Sequence, residues 1–425
     1  MKLSEDLKTR RVKYEFFDGF VLAMVLILSA IGVLMVFSIT GTTIFNNESE
    51  DNLSYMLHSA TGVVLGVITM AAFAIAPNKL FRGKWGLLIL LGTVVIFIIT
   101  PIFGQGTRAS PYAYRWLAIP GLPVFQAVDL ARIGFTLSLP LMIQWLVDTG
   151  LYYSKKIWSA YWIPIFYVLL CAGLIILQPD LGSAIVIFIT GMVIVFSSGI
   201  HVKQIIFLSS IAAIAVVVVS VIGIYAIDLQ YYQMQRINAW RDPFNHPRGH
   251  QSVMGFMSIA LGSWTGLGLG ESKQALGFAI EPHTDLIVTI LSEELGLIAV
   301  FIVMLLYFFI AFKCFTTAFK ARDVFSALVC IGVGSFFLAQ TFVNLGGASG
   351  FIPLSGVTLP LISYGMTSKI STFALIGIYF NMRRHILIDV EKSKARREKK
   401  KEGIEENNIL KFLSQLEGRN QRSDS

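Results

Sequence analysis

Apolar runs of about 18 residues or more recur along this 425-residue chain, and they restrict its fold more than any other feature. Each run is long enough to cross the hydrocarbon core of a bilayer, which is about 30 Å thick. The run Gly86–Ile99 shows no alternation of apolar and polar residues, so helices are expected and a β-barrel is not. With 55% hydrophobic and 14% charged residues, the chain is predicted to be an all-α, polytopic membrane protein.

The apolar runs predict ten transmembrane helices, with a long extracellular loop, about 228–285, between the seventh and the eighth. An even number of spans places both termini on one side of the membrane. Most of the 34 Lys and Arg residues then share the side of the termini, so the positive-inside rule predicts that both termini are cytoplasmic. The predicted spans are 19–41, 56–76, 86–103, 125–147, 160–178, 181–199, 204–227, 286–312, 325–345 and 359–382.

This topology divides the chain into a cytoplasmic arm at 1–18, a transmembrane domain at 19–385 and a basic cytoplasmic tail at 386–425. The basic residues of the tail are typical of an anchor for anionic lipid, and nucleic acid is not an expected partner. Around 409–416 the apolar residues share one helical face, which is typical either of a partner or membrane-surface helix or of a nascent helix.

The three cysteines lie in or beside apolar runs and have neither CxxC spacing nor clustered histidines. They are predicted to be buried free thiols, and neither a disulfide nor a metal site is expected from them. The cysteines are Cys171, Cys314 and Cys330.

The first polar cluster comprises Arg115 and Trp116, followed by Gln126, Asp129 and Arg132. Asp129 and Arg132 are three residues apart, so they share a helical face and can pair where the chain enters the membrane. A structural ion pair and a functional pair both fit this spacing. Trp116 fits either an interfacial belt or a functional role.

A second cluster, Gln178–Gly182, forms a tight turn between two spans. Pro179 and Gly182 favour the turn, and Asp180 can cap the helix that follows. Capping alone would account for Asp180, and a functional role is the alternative.

The long loop carries the third cluster, which includes Arg236, Gln251, Ser252 and Lys273. Its Gly-x-Gly-x-Gly stretch at 266–270 follows no strand, so a dinucleotide site is rejected. Apolar residues interleaved along the loop argue against disorder and favour a re-entrant or interfacial helix near 251–264.

The loop ends in Glu281, His283 and Asp285 at the start of the next span. A carboxylate at the edge of a membrane is costly, so Asp285 is predicted to be functional. Glu293 and Glu294, inside the next helix, fit either a proton relay or capping and packing.

The fourth cluster runs from Asn344 to Gly365 and includes Ser363. Pro353, Pro360 and several glycines break the helix in this stretch. A broken backbone at this depth persists only where protein or a water-filled cavity satisfies its polar groups.

The order RW…Q..D..R, QPDLGS, HQS…..LGS, E.HTD…..EELG and VNLGG.SG.IPL.GVTLPLISYG resembles the SEDS family (shape, elongation, division and sporulation) over roughly residues 19–385. The last motif looks closer to the FtsW-like division branch than to the RodA-like elongation branch. The resemblance implies a peptidoglycan glycosyltransferase that polymerises lipid II, the undecaprenyl-diphosphate-linked disaccharide peptide. Such an enzyme works during cell division or elongation, at the outer face of the bacterial cytoplasmic membrane, with a class B penicillin-binding protein.

The resemblance places Asp285 on the essential acid of the family and Trp116 on its important tryptophan. It also places Asp129 and Arg132 on an acidic–basic pair that is usually Glu and Lys. Near position 275 the family usually has a basic residue, but this chain has Ala275, and its lysine, Lys273, lies two residues earlier. Lys369 adds a charge to the last span. The other residues expected to support the site are Arg115, Gln178, Asp180, Arg236, Gln251, Ser252, Glu281, His283 and Ser363.

The chemistry implied is a single inverting displacement in which Asp285 acts as a general base. Arg or Lys side chains, or a divalent cation such as Mg or Mn, would neutralise the diphosphate leaving group, and no residue is assigned as a metal ligand. A flippase for a lipid-linked precursor and a non-catalytic scaffold for a penicillin-binding protein are the alternatives. The absence of a repeat between the two halves of the chain argues against the flippase.

Overall fold

The computed structural model of the chain describes residues 17–43, 51–106, 115–118, 124–152, 158–199, 210, 230–274 and 284–423. The predicted seventh span at 204–227 therefore lies outside the described residues, apart from Ser210. Glu281 and His283 lie outside them too.

Helices make up nearly all of the regular structure in the described residues. The short strands β1 and β2 form an antiparallel pair in which Trp116 lies opposite Gln126. Two short 3-10 turns, Asn78–Phe81 and Pro247–Gly249, join helices. The elements in chain order are α1 Gly19–Thr43, α2 Asp51–Ile75, α3 Gly83–Phe103, β1 Trp116–Leu117, β2 Phe125–Gln126, α4 Ala127–Asp148, α5 Trp158–Ile176, α6 Leu181–Ser197, α7 Gln230–Arg241, α8 His250–Gly262, α9 Ile287–Ala318, α10 Val324–Ala348 and α11 Met366–Ser423.

Six of the described helices, α1 to α4 together with α9 and α10, are long and apolar enough to cross a membrane, and α5 and α6 are shorter apolar helices. Large apolar side chains remain exposed on them, such as Phe103 at 68% and Phe301 at 64%. Contiguous apolar surface of this kind is costly in water and favourable in lipid. The polytopic helical fold is confirmed, whereas the count of ten spans stays a prediction.

Buried hydrophobic side chains form two clusters. One comes mainly from α1, α2, α9, α10 and α11, and the other mainly from α3 to α6. Helix α10 packs against α9 on one side and against α6 and α4 on the other, so it lies between the clusters. All three cysteines are buried and free, as predicted.

Helix α9 is interrupted at Gly296, which has φ 83° and ψ 170°. The interruption leaves helical amides and carbonyls without their usual partners, and the glycine-rich stretch after α8 pairs with them. Leu297 N donates to Ser263 O at 3.0 Å, and Leu267 N donates to Glu293 O at 2.9 Å. A Cβ at Gly296 would clash with the Trp264 carbonyl, so the close pairing requires glycine. This pairing accounts for Gly266, where a Cβ would clash with the Glu294 carbonyl, whereas the positive φ angles of Gly268 and Gly270 favour glycine.

The last span begins later than predicted. Residues 349–365 contain no helix, and α11 starts at Met366, so the predicted start at 359 was wrong. Local sequence looks apolar enough for a helix from Val357 onward, but Gly356 has φ 73° and Pro360 has no amide proton to donate. The freed carbonyls are satisfied by side chains of α10, described below.

Helix α11 continues without a break through residue 386, where the basic tail was predicted to begin, and extends to Ser423. The division at 386 therefore does not coincide with the end of a helix. The amphipathic face predicted at 409–416 falls on side chains that the structure does not describe.

Candidate active site

Asp285 lies in the turn that immediately precedes α9, and it is half-buried. Buried side chains hold the backbone around it. Asn344 Nδ2 donates to Asp285 O at 3.1 Å, and Ser363 Oγ donates to Thr284 O at 2.7 Å. Ser363 Oγ also accepts from Leu359 N at 2.8 Å. The carboxylate is therefore presented from a backbone that α10 and the 349–365 segment fix in place.

Three charged side chains surround Asp285. Burial raises the pKa of the Asp285 carboxyl above its usual value, Arg115 and Arg236 oppose the rise, and the Asp180 carboxylate adds to it. The net direction is upward. A carboxylate with a raised pKa is a stronger base than a solvent-exposed aspartate, which suits the abstraction of a proton near neutral pH.

Arg115 and Asp180 are brought to Asp285 by different elements. Asp180 caps α6 by accepting from Ser183 N at 3.1 Å, as the turn sequence predicted, and it also accepts from Gln126 Nε2 at 3.3 Å. Arg115 Nη1 lies 3.7 Å from Asp180 Oδ2. Ala127 N donates to Arg115 O, which fixes the arginine beside the start of α4. Asp180 thus combines helix capping with a place in the charged cluster.

Arg236 reaches the cluster from α7. Its Nη1 donates to Leu354 O at 3.3 Å, and Trp240, one turn later, donates from Nε1 to Gly350 O at 2.8 Å. Two side chains of α7 therefore attach to the non-helical 349–365 segment. The long loop consequently folds over the segment that passes Asp285.

Gly356 separates Asp285 from a neighbouring cleft. A Cβ at this position would lie 3.4 Å from both Arg115 Nη1 and Asp285 Oδ2. The residue also has φ 73°, a conformation that favours glycine. Gly356 also lines the cleft, so its backbone lies between the cleft and the Asp285 carboxylate, and a side chain there would crowd Asp285 and Arg115.

The cleft lies between α4, α6, α10 and the 349–365 segment and has a cavity volume of about 20 Å³. Asp129 and Arg132 form the predicted ion pair within α4. Thr367 Oγ1 donates to Asp129 Oδ2 at 2.7 Å, and Arg132 Nη1 donates to Gln340 Oε1 at 3.0 Å. The cleft is lined by Gln126, Val128, Arg132, Ser183, Val186, Ile187, Phe336, Gln340, Gly356, Val357 and Thr358.

The other predicted residues are placed less directly. Trp116 is half-buried in β1. Gln178 is fully buried, but it donates to Phe97 O of α3 at 3.3 Å and so ties helices together. Gln251 and Ser252 are half-buried in the first turn of α8, and the Lys273 side chain is exposed. The hydrogen bonds and ion pairs given above for the Asp285 cluster do not involve the side chains of Trp116, Gln178, Ser252 or Lys273.

Glu293 and Glu294 anchor the loop that follows α8. Glu293 Oε2 accepts from Ser272 Oγ at 2.8 Å and its Oε1 accepts from Lys273 N at 2.8 Å, while Glu294 accepts from Ser38 Oγ of α1. These contacts fit the packing role proposed from the sequence, and none of them leads to Asp285.

Sequence reasoning did not assign a role to two amide residues of α10. Gln340 and Asn344 are buried and lie one helical turn apart, and both donate to carbonyls of the 349–365 segment. Paired amides inside an apolar span are themselves a signal, because uncompensated polar groups are costly there. Their partners are distant in sequence and could not be identified from it.

A divalent cation remains a prediction. Within the part of the chain that the structure describes, no three His, Cys, Asp or Glu side chains are grouped as ligands. Mg²⁺ commonly uses only one or two carboxylates together with substrate phosphates, so such a grouping is not required. The described residues do supply guanidinium groups, and the chemistry below is derived from those.

The fold and site define a polytopic helical membrane protein with a half-buried acid beside a polar cleft. The family model described as "Cell cycle protein", FTSW_RODA_SPOVE, matches residues 19–387, and the chain belongs to this family. The resemblance seen in the sequence is therefore confirmed.

Curated relatives match the sequence of this chain over most of their length. The "Probable peptidoglycan glycosyltransferase FtsW" of Bacillus subtilis (strain 168) is 30% identical, covering 89% of this chain and 93% of the relative. The protein of the same name from Moranella endobia (strain PCIT) is 32% identical, covering 88% and 97%.

Solved structures show the same fold. A chain from a peptidoglycan synthase complex that coordinates polymerization and crosslinking has a TM-score of 0.69 at 23% identity, covering 87% of this chain and 98% of that one. The rod shape determining protein RodA of Thermus thermophilus has a TM-score of 0.60 at 20% identity, covering 87% and 97%.

Proposed function

We propose that this protein is a peptidoglycan glycosyltransferase that polymerises lipid II into glycan strands. Family membership and the names of the curated relatives support the activity, and those names favour the division branch. The observation that carries the proposal is a half-buried Asp285 carboxylate that interacts with two arginines and lies next to Gly356, a residue that also lines a polar cleft. This arrangement combines a base with positive charge for a phosphate-linked substrate.

In the proposed reaction, the 4-hydroxyl of the acceptor sugar attacks the anomeric carbon at the lipid-linked end of the growing chain. Asp285 accepts the hydroxyl proton as the new C–O bond forms. The bond between the anomeric carbon and the phosphate oxygen breaks, and the lipid diphosphate leaves. Because there is one direct displacement, the anomeric configuration inverts and no covalent enzyme intermediate is needed.

The diphosphate gains negative charge as it leaves, and positive side chains stabilise that charge. Arg115 and Arg236 lie near Asp285, and Arg132 lines the adjoining cleft. Arginine suits this task since its guanidinium presents several donors to phosphate oxygens. We assign the diphosphate to these three residues, with the acceptor hydroxyl directed at Asp285.

The purified wild-type protein, reconstituted in liposomes with lipid II and its cognate class B penicillin-binding protein, is expected to produce glycan polymer. The polymer is measured by gel separation of fluorescently labelled product, with the penicillin-binding protein alone as the control. Movement of lipid II across the bilayer without polymer would favour the flippase alternative. If the yield of polymer were equal with and without this protein, this protein would not be the polymerase.

A class B penicillin-binding protein is the partner proposed for the reaction. The support is the fold shared with a chain of a complex that joins polymerization to crosslinking. Crosslinking is a separate reaction from glycosyl transfer, so a second active site must act on the strands that this protein makes.

The proposed location is the bacterial cytoplasmic membrane, with the long loop outside and both termini inside. Asn245 is exposed on the loop and Lys392 is exposed on α11. In a background without the three native cysteines, Asn245→Cys should react with a membrane-impermeant maleimide on intact cells. Lys392→Cys should react only after lysis. The reverse labelling pattern would place Asp285 on the cytoplasmic side and contradict the proposed topology.

A further inference from the structure

Helix α10 carries two amide side chains on one face, Gln340 and Asn344, which are only 2% and 3% exposed. Burying an amide in an apolar helix is unfavourable unless its donors and acceptors are satisfied. Asn344 Nδ2 donates to Val357 O at 2.7 Å and to Asp285 O at 3.1 Å, whereas Asn344 Oδ1 has no hydrogen-bond partner among the described residues. Gln340 makes a different set of contacts.

Gln340 connects Arg132 to the non-helical segment. Its Oε1 accepts from Arg132 Nη1 at 3.0 Å, while its Nε2 donates to Thr358 O at 2.7 Å. The two ends of one amide group therefore bind an ionic side chain of α4 and a backbone carbonyl. Since Thr358 follows Gly356 by two residues, the same amide joins the cleft arginine to the backbone that passes Asp285.

These bonds close into a ring. Thr358 Oγ1 lies 3.0 Å from Ser368 Oγ in the first turn of α11, and the adjacent Thr367 donates to Asp129 at 2.7 Å. Asp129 pairs with Arg132, which returns to Gln340. The ring joins α4, α10, the 349–365 segment and α11 at the cleft.

The Arg132 guanidinium is restricted on several sides. Asp129 pairs with it, and its Cζ lies 5.1 Å from the centre of the Phe336 ring. Arg132 Nε has no hydrogen-bond partner among the described residues, although the side chain lines the cleft. Because Nε is itself buried, the further N–H groups of Nη1 and Nη2, which Gln340 and Asp129 hold in place, are the donors that a ligand in the cleft would meet.

We propose that Gln340 is a positioning residue: it orients the Arg132 guanidinium toward the leaving diphosphate and ties that orientation to the segment beside Asp285. The inference rests on the proposed function and goes further by giving Gln340 a role through Arg132. A misplaced charge-stabilising group weakens the transition state more than substrate binding, so kcat should change more than KM.

Three variants test the proposal. Gln340→Met keeps the size of the side chain and removes both hydrogen bonds. Gln340→Glu keeps an acceptor for Arg132 and removes the donor to Thr358 O. Thr341→Val is the matched control: Thr341 is buried on the same turn of α10, and its Oγ1 has no hydrogen-bond partner in the described residues, so the change removes no bond.

In the polymerisation assay, Gln340→Met is expected to lower kcat by on the order of 10- to 100-fold with KM within about twofold. Gln340→Glu, which keeps the bond to Arg132 but loses the bond to Thr358 O, should have a kcat between those of Gln340→Met and wild type, and Thr341→Val should match wild type. Equal losses for the Met and Glu variants would show that Gln340 acts only through Thr358 and overturn the proposal. An unchanged kcat for Gln340→Met would overturn it as well.

A second measurement does not depend on polymerisation. Thermal unfolding is compared for Gln340→Met, Arg132→Met and the double variant. If the double variant loses less melting temperature than the two single variants lose together, the result supports the link between Gln340 and Arg132. Additive losses would overturn it, even if the wild-type protein made no polymer and the proposed function itself failed.

Discussion

Replacing Asp285 with Asn is expected to abolish glycan polymerisation while leaving the protein folded in the membrane. The amide removes the base, but the backbone bonds from Asn344 and at Thr284 remain, so the turn should keep its shape. A general base contributes about 10²- to 10⁴-fold to rate, and a loss of at least about a hundredfold is predicted. Polymer yield from lipid II measures the loss.

The matched control is Glu271→Gln, which changes an exposed carboxylate on the same loop and should leave the rate unchanged. If Asp285→Asn kept more than about a hundredth of wild-type activity, Asp285 could not be the base.

The pH dependence follows from the same carboxyl group. Burial raises the pKa of Asp285, so the acid limb of the rate profile should lie above the usual aspartate range, with activity falling as the pH drops through that pKa. Removing Arg236 takes away an interaction that lowers the pKa, and the limb should then move to higher pH.

Replacing Asp129 with Ala is expected to destabilise the protein strongly, because it leaves the buried Arg132 charge without its carboxylate. Breaking a buried ion pair from one side costs about 3–5 kcal/mol. The double replacement of Asp129 and Arg132 removes both charges and should be less damaging than Asp129→Ala alone. Chemical unfolding in detergent measures the three variants.

Glu391→Gln provides the contrast, since Glu391 pairs with Lys394 on an exposed part of α11. Exposed pairs contribute about 0–1 kcal/mol, so this change should be nearly silent. Single-variant losses at Asp129 and Arg132 that simply add in the double variant would contradict an energetic coupling between them.

The spans could be predicted because a backbone surrounded by lipid must satisfy its own hydrogen bonds, and long apolar runs therefore form helices. The break in α9 could not be predicted from the sequence. Gly296 stands at the start of an apolar run, just after Glu293 and Glu294, where an isolated glycine suggests only a weakened helix. Its function depends on the Ser263 and Trp264 carbonyls, which approach from a loop more than thirty residues earlier.

Part of the candidate site could likewise be predicted from the sequence, and part could not. Asp285, Asp129 and Arg132 could be selected because charge in or beside a membrane span is rare and costly. The start of α11 was misplaced because Val357 and Thr358 look helical locally, while their carbonyls are bound by Asn344 and Gln340 of another helix. Hydrogen bonds between distant side chains and backbone leave no periodic pattern in the sequence.

The interruption of α9 at Gly296 has a mechanical consequence. The part of the helix before Gly296 starts two residues after Asp285, and at its other end it is joined to the glycine-rich stretch by backbone bonds at Glu293 and Glu294. The short helical part before Gly296 is therefore fixed at both ends, by Asn344 and Ser363 at the Asp285 turn and by the loop at Glu293 and Glu294. The position of the acid is thus coupled to the fold of the glycine-rich stretch through one short piece of helix.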